Sequence, residues 1–216
     1  MKRFAATAFA IAANLLIALT AASAHPHVWI TMTSEVVYAP DGTMTGIRHA
    51  WTFDDMFSTF ATQGLESKQK GVFTREELKP LAEVNVTSLK EYGFFTYAKA
   101  DGKKAEFVEP TDYYLEYKDQ LLTLHFVLPL KAPMKAKSLD LQIFDPSYFV
   151  DFSFDDKTKT PVTLAGAPEQ CKLTVGKPQE MDAKLAQQLS QLPPDARNST
   201  ALIGAEYSNR LSIQCP

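Results

Sequence analysis

The sequence predicts an α+β protein: antiparallel β-sheet with two helices inserted after an N-terminal hairpin, and an amphipathic helix near the C-terminus. Three observations predict it. β-branched and aromatic residues fill His27–Tyr38 and Thr43–Phe53, on either side of a Pro40-Asp41-Gly42 turn. Between Asp54 and Tyr92 the apolar spacing switches to three and four residues. From Phe94 onward short β-rich runs alternate with turn residues, the pattern of antiparallel pairing.

In the first predicted helix, from Asp54 to Gly64, Met56, Phe57, Phe60 and Ala61 share a face, and the acidic residues sit where a helix N-terminus favours them. The second begins near Thr74, where Thr74-Arg75-Glu76-Glu77 matches a capping box. Leu78, Leu81, Val84 and Leu89 keep the spacing to about Tyr92 despite Pro80. Strands are then predicted over Phe94–Lys99, Ala105–Glu109, Tyr113–Tyr117, Leu121–Leu128, Leu139–Phe144, Tyr148–Phe154 and Val162–Leu164. Met181, Leu185, Leu189 and Leu192 mark the last helix, stopped by Pro193-Pro194. Residues 25–167 are thus expected to form the main domain, and residues 168–216 a helical appendage.

Residues 1–24 read as a cleavable signal peptide. Lys2 and Arg3 are followed by an apolar run from Phe4 to Thr20 and then by Ala22-Ser23-Ala24. Cleavage after Ala24 leaves 192 of 216 residues, with 20 basic against 25 acidic side chains, a net charge of −5. There is no basic stripe, so nucleic acid is not an expected partner. No second long apolar run exists, so no membrane span is expected in the mature chain. Cys171 and Cys215 are the only cysteines, and in an oxidising compartment they read as one disulfide that ties the appendage back. Closing that loop stabilises by about 4 kcal/mol in the chain-entropy account.

The mature N-terminus, His25-Pro26-His27, is where chemistry is expected. An α-amine and two imidazoles fall within three residues, and such nitrogens suit zinc, nickel, cobalt and copper. Pro26 has no amide hydrogen, which removes the square-planar mode that uses deprotonated backbone amides. Side-chain coordination remains. Asp54, after the Trp-x-Phe strand, and Asp145, before Pro146, are candidate carboxylate ligands; each also reads structurally, as a helix cap and a turn residue. His49 and His125 are candidate further donors. Glu66–Glu77 has the glycine and final glutamate of a calcium loop, but Lys68 and Lys70 stand where oxygens are needed. No Gly-x-Ser-x-Gly, His-Glu-x-x-His or phosphate-binding glycine loop is present, so a non-enzymatic protein is expected. Two rivals stand beside metal handling. One is a copper oxidase that braces the ion between the terminal histidine and His49 or His125; the other is a docking module that uses Tyr113, Tyr114 and Tyr117.

The segments His25–Ile30, Trp51–Ser58, Gly71–Leu78, Leu124–Leu130 and Phe144–Val150, in this order, resemble domain-of-unknown-function family 1007. The resemblance spans about residues 25–175. It implies a periplasmic component of an ABC-type or nickel/cobalt-type metal transport system, working with an inner-membrane permease on a divalent transition metal, zinc first, with nickel, cobalt or copper as alternatives. The family's His-Pro-His start falls on His25 and His27. Its Trp-x-Phe-Asp motif falls on Trp51, Phe53 and Asp54, and its Asp-Pro-x-Tyr motif on Asp145, Pro146 and Tyr148. The acidic loop that many relatives carry before the Glu-Leu helix is replaced here by Glu66, Lys68 and Lys70.

Overall fold

The N-terminal hairpin forms as expected: β1 (Val28–Tyr38) pairs antiparallel with β2 (Met44–Phe53). Asp41 shapes its turn by accepting from the Thr43 amide at 3.0 Å and the Thr43 hydroxyl at 2.8 Å, and Gly42 supplies the left-handed residue at φ 80°. The computed structural model describes residues 27–179, 182–190 and 205–216. The leader, His25, Met181, Leu192 and the Pro193-Pro194 stop lie outside these residues.

Two helices follow the hairpin, α1 (Asp55–Thr62) and α2 (Arg75–Leu89). The capping box of α2 is complete: Thr74 accepts from the Glu77 amide at 3.3 Å, and Glu77 accepts from the Thr74 amide at 2.8 Å. The strands after it are β3 (Thr96–Ala100), β4 (Lys103–Ala105), β5 (Tyr113–Lys118), β6 (Leu121–Met134), β7 (Ser138–Ile143), β8 (Val150–Phe154), β9 (Val162–Ala165) and β10 (Lys172–Val175). Helix α3 (Ala183–Ser190) and strand β11 (Asn209–Gln214) follow among the described residues. β3 starts two residues later than predicted because Gly93, Phe94 and Phe95 have positive φ, which no strand residue adopts.

The fold is mostly β, in two sheets. The first runs β5-β6-β2-β1-β8, with β9 also on β1; the second runs β10-β11-β7-β3-β4. Wholly antiparallel pairing does not hold. β1 pairs parallel with both β8 and β9, Val28 opposite Val150 and Ser34 opposite Val162. The chain returns to β1's open edge directly from β7 of the second sheet, and it arrives running the same way. The C-terminal stretch also departs from a helical appendage: β11 lies between β10 and β7, and buries Leu211 and Ile213. The Cys171–Cys215 disulfide joins the start of β10 to the end of β11. No helix among the described residues is long and apolar enough to cross a membrane.

One face of the first sheet is covered by two different partners. Toward the start of β1, Ile30, Met32, Trp51, Leu124 and Phe126 pack under Leu78, Ala82 and Val86 of α2. Toward its other end, Val36, Ile47 and Leu130 pack against Leu139, Leu141, Leu211 and Ile213 of the second sheet. Between these two cores lies a buried polar seam of Ser34, His49 and Thr96. Strict alternation along β1 leaves Trp29 on the opposite, open face.

Candidate metal centre

His27 stands immediately before β1 with its side chain exposed. Its backbone amide donates to the Phe149 carbonyl at 2.9 Å, and its ring lies 4.8 Å from the Phe149 ring. The position of His27 is therefore set by the loop that leads into β8.

Asp145 builds that loop. Its Oδ1 accepts from the Ser147 amide and hydroxyl, both at 2.8 Å, while Oδ2 accepts from the amides of Phe149 at 3.1 Å and Val150 at 3.0 Å. These bonds hold Tyr148 at φ 56°, a region unusual for a bulky residue. Asp145 is 3% exposed. Both of its oxygens accept from the loop that leads into β8.

Asp54 is committed in the same way. It is the N-cap of α1, accepting from the Phe57 amide at 2.8 Å, while its other oxygen accepts from the Trp29 amide at 2.8 Å. The Asp54 amide returns a bond to the Trp29 carbonyl at 3.0 Å, so the residue locks α1 onto β1. Asp54 and Asp145 thus place the strands around His27, Asp145 by accepting four hydrogen bonds and Asp54 by accepting two. Among the described residues, no three His, Cys, Asp or Glu side chains are grouped to hold an ion.

The other two histidines sit elsewhere. His49 is fully buried, with Nδ1 2.9 Å from Ser34 Oγ and its ring packed between Trp51 and Phe126. Desolvation pushes its pKa down to about 3. Beside it Trp51 Nε1 is buried with no hydrogen-bond partner, at a cost of about 1–3 kcal/mol. Because His49 pairs with Ser34, seven residues along β1 from His27, the two histidines are roughly 23 Å apart along the strand. His125 pairs with Ala50, itself opposite Thr33, and is roughly 20 Å away by the same rise. Neither can form a brace with a terminal histidine beside His27.

His125 belongs to a separate arrangement on the open face. Its ring stacks on Tyr114 at 4.5 Å, the Arg75 guanidinium covers the other side of Tyr114 at 3.6 Å, and Glu116 Oε2 lies 3.3 Å from Nε2. Desolvation lowers the His125 pKa, against the opposing pull of Glu116. The three tyrosines of β5 do not make one exposed aromatic face: Tyr113 and Tyr117 pack on the first core, and Tyr117 meets Phe73 edge-on at 5.1 Å. In the loop before α2, Glu77 is spent on Thr74 and on the Lys68 amide at 2.9 Å, bonds that hold its carboxyl below the usual range.

One part-buried carboxylate at the β1–β8 junction escapes sequence reasoning. Asp151 pairs with Trp29 across the parallel β1–β8 junction and is half-buried. Burial raises its pKa, with only the Phe152 backbone amide pulling the other way. The available signal was an aspartate at an outward position of a short strand, between Val150 and Phe152. Its neighbour became visible only with the β1–β8 register.

No curated protein matches the chain. A family model described as a protein of unknown function (DUF1007) matches residues 10–215, so the chain belongs to that family.

Proposed function

We propose that this is a non-enzymatic, periplasmic metal-binding accessory protein of a divalent transition-metal transport system, exchanging zinc, nickel or cobalt with an inner-membrane permease. The ion is held at the mature N-terminus by the α-amine and the imidazoles of His25 and His27. The observation that carries the reading is the seating of His27. Its backbone is tied to Phe149, and the Phe149 loop is itself fixed by four bonds to Asp145, so an exposed imidazole is presented from a rigid strand end. A donor on a rigid element loses less freedom when it binds an ion.

The pairing of nitrogen donors with an exposed position favours exchange over burial of the ion. A cargo protein must release what it binds, and two or three nitrogen ligands at a chain terminus leave coordination positions for a partner's ligands. The disulfide supports an oxidising compartment, as does the leader reading of residues 1–24. Asp54 and Asp145 act here as supports for the strand ends.

The test is calorimetric titration of protein processed to His25, verified by mass, with zinc, nickel and cobalt at pH 7.5. One ion per chain is expected to bind. Imidazole and amine must lose protons to bind, so affinity is expected to fall steeply as pH drops through about 6. Absence of binding at pH 7.5, or unchanged binding in the doubly substituted His25→Ala/His27→Ala chain, overturns the reading.

A further inference from the structure

We propose that the outward face of the second sheet is a docking groove for an acidic peptide segment of a partner protein. The assignment is independent of the metal reading above.

Three observations lead there. The first is shape. Alternation along β3, β7 and β11 turns Ala98, Leu139, Leu141, Leu211 and Ile213 into the core and leaves their neighbours on the other face. The register sets those neighbours in rows. Lys104, Lys99, Asp140 and Ser212 lie side by side from β4 to β11, with Tyr97 and Gln142 in the next row. All of them line one groove, which the segment after β4 borders with Phe107 and Val108. Its volume is about 1180 Å³. Small-molecule sites fill about 300–1,000 Å³, so the occupant is the size of a polypeptide segment.

The second is charge. Among the described residues, five basic side chains line the groove against three acidic ones, on a chain whose formal net charge is −3. The groove is therefore locally positive on an acidic protein. Lys99 and Lys104 are direct cross-strand neighbours, and like charges so placed cost stability. Asp140 stands on the other side of Lys99, yet no ion pair among the described residues holds either lysine. Glu106 serves two lysines at once: it pairs with Lys131 at 2.8 Å, and Lys104 adds its field. Carboxylates from a partner relieve this repulsion.

The third is an aromatic step beside the lysines. The rings of Tyr97 and Phe144 lie 4.6 Å apart, and both residues line the groove. Aromatic side chains anchor interfaces. A segment that alternates acidic and apolar residues meets the lysines with one set and the rings with the other.

The test titrates the intact protein with a short fluorescein-labelled peptide of alternating glutamate and leucine, read by anisotropy and by amide shifts of 15N-labelled protein. The peptide is expected to bind, to move the amides of Tyr97, Lys99, Gln142 and Ser212, and to weaken as salt rises, because exposed charges are screened. Lys99→Gln/Lys104→Gln should bind about fivefold more weakly or worse, with a melting temperature equal to or above that of the parent, since a like-charge pair is gone. The same peptide with glutamine in place of glutamate should bind the parent no better than the acidic peptide binds this variant. Inorganic phosphate and phosphatidylglycerol vesicles, offered separately, should leave these amides unmoved. Absence of binding by the acidic peptide, equal affinity in the double variant, shifts confined to other surfaces, or capture of phosphate or vesicles in place of the peptide each overturns the inference.

Discussion

His49 Nδ1 lies 2.9 Å from Ser34 Oγ inside the closed seam between the two cores, where neither group reaches water. That pair makes the fold acid-sensitive. The folded imidazole stays neutral down to about pH 3, whereas in the unfolded chain it takes up its proton near pH 6.5. The unfolded state is therefore protonated first as pH falls. The stability contribution is intact above about pH 6.5 and is lost between there and about pH 3, at about 1.4 kcal/mol per pH unit. Urea melts of the parent and of His49→Gln should diverge in slope across that window, with the variant flatter. Parallel pH profiles would show that His49 does not carry the acid sensitivity.

Replacing Asp145 by alanine should destabilise the protein sharply. The change removes the acceptor of the Ser147, Phe149 and Val150 amides in a part-buried loop and releases Tyr148 from its left-handed conformation. Bonds to a charged acceptor are worth about 1.5–3 kcal/mol each when a partner is lost. A loss of about 3 kcal/mol or more is expected in denaturant unfolding, with an unchanged m-value. Asp145→Asn, which keeps one carbonyl acceptor, should fall between. An alanine variant as stable as the parent would mean the loop does not depend on this carboxylate.

Local signals predicted the local structure. The Thr74–Glu77 box, the Asp41 turn and the cap at Asp54 each act within a few residues, and all three form. What the sequence did not show depends on partners far along the chain. Nothing in Val28–Tyr38 says that its second edge will take β8 and β9 in parallel, because pairing is set by where the chain returns. β11 escaped because Leu211 and Ile213 are the only apolar residues of a short run whose third buried member is Asn209, with Arg210, Ser212 and Gln214 alternating on the other face. The same reasoning accounts for the site. His27 could be read as a chain-terminal donor, but its seating against Phe149 became visible only with the β1–β8 pairing.

The β5–β6 hairpin offers a stabilising change. Asp119 and Gln120 occupy its two-residue turn with φ of 51° and 66°, the conformation in which asparagine or aspartate followed by glycine is preferred. Both are exposed, so the side chain of Gln120 gives little in return for its strain. Gln120→Gly is expected to raise stability by about 0.5–1 kcal/mol, visible as a higher melting temperature. A lower one would mean that the entropy glycine adds to the unfolded chain exceeds the strain it relieves.

Reducing the disulfide should loosen the protein unevenly. Cys171 and Cys215 close a separation of 44 residues and bracket the β10–β11 pair, so opening it should cost about 2–4 kcal/mol through the unfolded state. Among the described residues β10 is the outer strand of the second sheet and pairs with β11, whereas β11 also pairs with β7 over Asn209–Gln214. Under dithiothreitol the amides of Lys172–Val175 should therefore exchange faster with solvent than those of Leu139–Ile143, while the first sheet stays protected. Uniform loss of protection across both sheets would show that the bridge acts on global stability alone, and that β10 does not open as a separate edge.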